Sequence, residues 1–136
     1  MILASVTLAL SGCWSAMNSY SIAAKSKAVT VDDIGKAFAR AGESVKEVDA
    51  QLGVVKTEWK TASGGSIWAE NLRYVAVIGR DGVVTLRAET EVCQGLLNCR
   101  DMKGEGLSEN HEAIAALATK LAADLDATLT ATKPGN

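Results

Sequence analysis

One histidine, His111, serves the whole 136-residue chain, and no Ser, Cys or Asp stands at an interpretable spacing from it. That scarcity leaves no imidazole cluster for a metal and no nucleophile–base pattern, so His111 reads as a surface or capping residue. A P-loop, a Gly-rich dinucleotide fingerprint and a Ser/His/Asp arrangement are also missing. Neither sign of charge dominates: 14 Lys and Arg against 16 Asp and Glu leave a formal net charge of -2, spread along the chain. This excludes a basic groove for nucleic acid and a polybasic membrane patch. The longest apolar run, MILASVTLAL at residues 1–10, falls well short of the about 20 residues that span a bilayer.

That run has the length of a signal-peptide core, and the small pair Ser11-Gly12 follows it directly before Cys13. Leu10-Ser11-Gly12-Cys13 resembles the lipobox of bacterial lipoproteins at all four positions. The resemblance implies a diacylglyceryl group on the Cys13 thiol, cleavage before Cys13 and acylation of the new amino terminus, palmitate being one such chain. Two or more acyl chains, at about 0.8 kcal/mol per buried methylene, anchor a protein and leave its body in water. No Lys or Arg follows Met1, which departs from the usual leader. Trp14 stands where the enterobacterial family rule places Asp for inner-membrane retention, so that rule puts the anchor on the periplasmic face of the outer membrane.

Three cysteines are an odd number for an exported chain, and lipidating Cys13 leaves Cys93 and Cys99 as a pair. In CQGLLNC they are expected to close a small disulfide loop in an oxidising periplasm. A metal site is the weaker reading, since a closed site needs four ligands and His111 lies on another element. No cofactor is expected.

From Cys13 there are residues for one domain. Residues 1–12 are read as signal peptide, 13–29 as the lipidated Cys and a flexible Ser/Ala/Lys tether, 30–131 as a single α+β domain, and 132–136 as a tail. Thr30 with Asp33 opens an amphipathic helix whose apolar line runs Ile34, Phe38, Ala41, Val45, Val48, Leu52 before Gly53 stops it. Gly35 and Gly42 suggest close packing of that helix on a sheet. A strand over 54–60 follows with Trp59 turned to the core, then a Gly-Gly loop over 61–71 carrying Ile67 and Trp68. Asp81-Gly82 joins two β-rich runs into a hairpin. Along the second run, Val84, Leu86, Ala88, Thr90 and Val92 share one face, and Arg87, Glu89 and Glu91 share the water-facing other. A second helix, N-capped by Ser108, repeats Ile114, Leu117, Leu121, Leu125 and Leu129. The expected fold is a two-layer α+β domain: a small antiparallel sheet of three or more strands packed against N- and C-terminal amphipathic helices, in the order α-β-β-β-α.

The helix running into Gly53-Val54-Val55-Lys56-Thr57-Glu58-Trp59, with the later Arg73–Val77 and Gly-Val-Val strands, resembles helix-grip lipoproteins of the BamC type. The resemblance implies a non-catalytic lipoprotein that binds envelope proteins in outer-membrane protein assembly. On this reading the chain is not an enzyme. It is a membrane-anchored periplasmic scaffold or binding module for which an envelope protein partner is expected, and Ile67 and Trp68 are candidate partner-binding residues. Strand addition at an open sheet edge is one mode of binding. The alternative is a small-ligand or lipid carrier with a cavity between helices and sheet, beneath Trp59 and Tyr74.

Overall fold

The structure is a computed structural model and describes residues 14–65, 67–95 and 97–133. In chain order its elements are β1 (Ser15–Ala16), β2 (Ser19–Ala24), α1 (Val31–Arg40), β3 (Val45–Asp49), β4 (Val54–Thr57), β5 (Lys60–Gly64), β6 (Trp68–Ile78), β7 (Val84–Gln94), β8 (Asn98–Asp101), β9 (Glu105–Gly106), α2 (Ser108–Asp124) and β10 (Ala127–Thr132). The lipobox, with Cys13 and the leader, lies outside the described residues.

The frame is one long hairpin. β6 and β7 pair antiparallel from Trp68↔Gln94 to Ile78↔Val84, a ribbon of about 35 Å at the usual strand rise. The turn at Asp81-Gly82 closes as its residue types require: Asp81 Oδ1 accepts from the Val83 N–H at 3.0 Å. Each long strand is covered along its other edge by two short ones. β4 pairs with the turn-end half of β6 and β5 with its far half, while β2 pairs with the turn-end half of β7 and β8 with its far half. β10 and β3 close the two sides, giving the order β10-β2-β7-β6-β4-β3, and β1 and β9 form a separate two-stranded sheet.

Both helices cover one face. α1 opens with a reciprocal cap, in which the Asp33 N–H donates to Thr30 Oγ1 at 3.1 Å and the Thr30 N–H to Asp33 Oδ2 at 3.0 Å. It buries Ile34, Ala37 and Phe38, and α2 buries Ile114, Leu117, Ala118, Leu121 and Ala122. These meet the inward strand residues Ile22, Val55, Leu72, Tyr74, Ala76, Val84 and Leu86 in one apolar cluster. Each large side chain so buried contributes roughly 1.5–3 kcal/mol. Arg40 at the end of α1 donates two bonds to Asp124 at the end of α2, at 2.8 and 2.7 Å, and ties the helix ends together.

The α-β-β-β-α expectation is therefore corrected: the described chain is mostly strand, with ten strands in two antiparallel sheets and two helices. The first helix stops at Arg40, because Gly42 sits at φ 89°, which a helix does not accommodate. Val45 and Val48 belong to β3, and their helix-like spacing comes from a β-bulge between Val45 and Glu47 that leaves Val45 opposite Thr57 and Val48 opposite Val55, on one face. The expected loop over 61–71 is instead β5 and the start of β6. Ser19–Ala24, expected in the tether, is β2, with Tyr20 and Ile22 buried. The second helix ends at Asp124, and Leu129 lies on β10 after a left-handed turn at Asp126. Trp59 does not face the core. β4 ends at Thr57, and Trp59 emerges on the outer face with its ring 4.4 Å from the Arg73 guanidinium.

Candidate functional site

At the end of the sheet far from the Asp81-Gly82 turn, two loops lie side by side. The β5–β6 turn carries Ile67 and leads into Trp68, the first residue of β6, the β7–β8 turn carries Leu97, and the Gly95 N–H donates to the Ile67 carbonyl at 3.2 Å to join them. Cys93 and Cys99, directly opposite in the β7–β8 ladder, form a disulfide that fixes the second turn. The first turn is fixed by Gly64. Its φ of 109° and the approach of Ala69 Cα and the Trp68 ring, 2.7 and 2.8 Å from where a Cβ would stand, admit glycine alone. On this rigid base Ile67 is 83% exposed, Leu97 98% and Trp68 37%. Three large apolar side chains thus stand exposed on a fixed tip.

A second feature lies along the β3 edge of the sheet. A groove of about 750 Å³ opens between α1 and β3, with Val31, Gly35, Ala39, Val45 and Val48 among its walls and Asp32, Lys36 and Glu43 as charged members. β3 ends the strand order, so one row of its backbone N–H and C=O groups is unpaired by the sheet. Gly35 does not mark close packing: a Cβ there would meet nothing within 4 Å. It leaves the groove wide instead.

The charged outer face is self-satisfied. Glu89 accepts from Arg73 at 2.6 Å and from Arg87 at 3.0 Å, and Asn71 donates to Glu91 at 3.1 Å. Burial raises the Glu89 carboxyl, but the bonds from Arg73 and Arg87 outweigh it and hold the group below its ordinary value. Arg87, Glu89 and Glu91 thus take the face expected of them and spend their charges on neighbours. Glu91 also lies beside Cys93 and Cys99, but sulfurs joined in a disulfide offer no thiolate to a metal.

His111 lies with Nε2 3.2 Å from Ser15 Oγ, 3.1 Å from Ser15 O and 3.2 Å from Gly106 O. Two carbonyl acceptors around one nitrogen place the ring proton on it, so Nε2 cannot take a proton from Ser15. His111 instead fastens β1 to β9. Glu70 is the polar residue that pattern reading missed. It is fully buried beneath α2, accepts from Asn110 Nδ2 at 2.6 Å, and is pushed above its ordinary value by that burial.

Of the residues singled out from sequence, Ile67, Trp68, Cys93 and Cys99 converge on the tip, although 25 residues separate Trp68 from Cys93. Leu97 was missed; its signal was an apolar pair, Leu96-Leu97, inside a cysteine-closed loop. The groove is not legible in the sequence, because the bulge in β3 gives its wall the apolar spacing of a helix. No protein-family model matches the chain, and no curated protein matches it as a relative.

Proposed function

We propose that this chain is a lipid-anchored, non-catalytic binding module for envelope proteins on the periplasmic face of the outer membrane, taking extended segments by strand addition to β3. The observation that carries the reading is the open β3 edge with the groove beside it. An added strand satisfies the unpaired backbone groups of β3, and its alternate side chains enter the groove against α1. Unassembled outer-membrane barrel strands, which alternate apolar and polar residues, have the chemistry that such an edge accepts. The lipobox supplies the anchor in this reading. The carrier alternative needs an enclosed cavity beneath Tyr74, whereas the groove beside β3 is open to solvent and Phe38, Ile34, Ile22, Leu72, Tyr74 and Ile114, each under 2% exposed, pack together in the core.

The test is recovery of partners from detergent-solubilised envelope with wild type and with Gly35→Trp. The indole projects into open groove without a clash at its Cβ, so the fold is retained while the groove is blocked. At least tenfold lower recovery with Gly35→Trp, and unchanged recovery with Thr130→Lys on the opposite edge, is the expected outcome. Equal recovery with all three chains overturns strand addition at β3.

A further inference from the structure

β1 and β2 shorten the span between Cys13 and the folded body, because residues expected in the tether are paired in the two sheets. Only Trp14 separates Cys13 from β1, and two residues of fully extended chain reach about 7 Å. A body whose lipid attachment is this short cannot stand clear of the bilayer. On the lipid-anchor reading, its surface around Ser15 lies against the headgroups.

The register says which end of the sheet that surface belongs to. Tyr20 is opposite Leu86 and Ile22 opposite Val84, so the chain upstream of Tyr20 runs toward Gln94, the tip end of β7. Met17 and Ser15 continue that way: the Met17 N–H donates to Gly104 O, and Ser15 pairs with Gly106. Gly106 packs against Asn110, which reaches Glu70, two residues from Trp68. The lipid attachment and the apolar tip thus leave the body at one end. β4, and with it β3, pairs toward the other end.

We propose that the tip inserts among the headgroups of the periplasmic leaflet next to the anchor, Ile67, Trp68 and Leu97 acting as a second, non-covalent membrane contact. The occupant is a lipid surface. Residues 64–68 and 94–99 carry no charge in a chain that is 22% charged, and an uncharged apolar wedge bordered by the oppositely charged Arg100 and Asp101 suits the boundary between headgroups and acyl chains. Tryptophan is the side chain that prefers this interface, with its ring among the acyl carbons and its N–H toward water. The disulfide and Gly64 hold the wedge rigid, so ordering it costs little on contact. This orientation leaves the β3 groove facing away from the membrane.

The inference rests on the lipid-anchor reading, and the test supplies the anchor chemically so that the two fail separately. The chain from Cys13 onward contains every described element. It is prepared with Trp14→Phe and Trp59→Phe, leaving Trp68 as the one indole, and coupled through the Cys13 thiol to maleimide-headgroup lipid. The vesicles are phosphatidylethanolamine and phosphatidylglycerol. Bromine-labelled acyl chains are expected to quench Trp68 at least twofold and iodide access to fall at least twofold. Ile67→Ser with Leu97→Ser, both at exposed positions, reverses both effects without shifting the melting temperature. Trp68 as open to iodide on vesicles as in solution, and untouched by brominated lipid, overturns the proposal. So does Trp68 shielding that appears only when envelope protein is added. Mass spectrometry of the cellular protein without acyl groups on Cys13 overturns the anchor reading alone.

Discussion

Asn110, in the first turn of α2, donates its side-chain amide to the carboxyl of Glu70 on β6 at 2.6 Å, with no solvent reaching the carboxyl. The second oxygen, Oε2, has no partner, and neither has the buried Thr90 Oγ1. Burial raises the Glu70 carboxyl, the Asn110 bond opposes the shift and nearby Glu109 adds to it, with a net rise above the ordinary value of 4.5.

That rise fixes a sign. Between the unfolded value and the raised folded one, the native chain holds more protons than the unfolded chain, so stability falls as pH climbs through that window. Asp33, Glu89 and Asp124 are held low, mainly by bonds from Thr30, Arg73 and Arg40 against the opposing burial, and their contribution is lost as pH falls through their folded values. Glu70 therefore adds a decline in stability as pH rises from its unfolded value through its raised folded one, opposite in sign to the contribution of the three lowered carboxyls. Glu70→Gln, which keeps an oxygen for Asn110, is expected to flatten the decline. Urea midpoints measured from pH 4 to 8 check this; parallel profiles for the two chains contradict it.

The same substitution at two glycines is expected to act with opposite sign. Gly35 lies inside α1 with open space around its missing Cβ, so Gly35→Ala removes backbone freedom from the unfolded chain and adds helix propensity. A gain of about 0.5–1 kcal/mol follows. Gly64 combines a φ of 109° with backbone and ring atoms where the Cβ would stand, so Gly64→Ala is expected to cost about 1–3 kcal/mol and to shift the Trp68 emission. Chemical denaturation of the two variants in one buffer gives both signs. Equal effects would mean that Gly64 is not constrained as described.

The hairpin and its faces were legible because β6 and β7 alternate over eleven residues each and meet at Asp-Gly. The cap at Thr30 was legible for the same reason, a local rule with a local cause. What was hidden depended on partners remote in sequence. A bulge gave Val45 and Val48 a spacing of three, which imitates a helix face, and Leu125 with Leu129 extended the α2 period while Thr128, Thr130 and Thr132 alternated unnoticed. Glu58 donates its N–H to Ser44 O, and the break in strand pairing there turned Trp59 outward. At the site, Trp68 was visible as an apolar residue beside glycines. Its union with the cysteine loop could be seen only once the two long strands were placed in register.

β2 offers the sharpest separation between the composition of a segment and its place in the fold. Residues 14–29 read as a tether because Ser, Ala and Lys dominate, yet Ile22 is wholly buried in the core, paired opposite Val84 on β7 and Leu129 on β10. A tether residue tolerates truncation, whereas a core isoleucine leaves a cavity. Ile22→Ala is expected to destabilise the chain by about 2–5 kcal/mol, and Ser21→Ala, on the other face of the same strand, by less than about 0.5 kcal/mol. Tyr20 is buried beside it, so loss of β2 also exposes an aromatic ring and removes the strand to which β10 is attached. Urea melts followed by circular dichroism give both values. A cost below about 1 kcal/mol for Ile22→Ala would return the segment to the status of a linker.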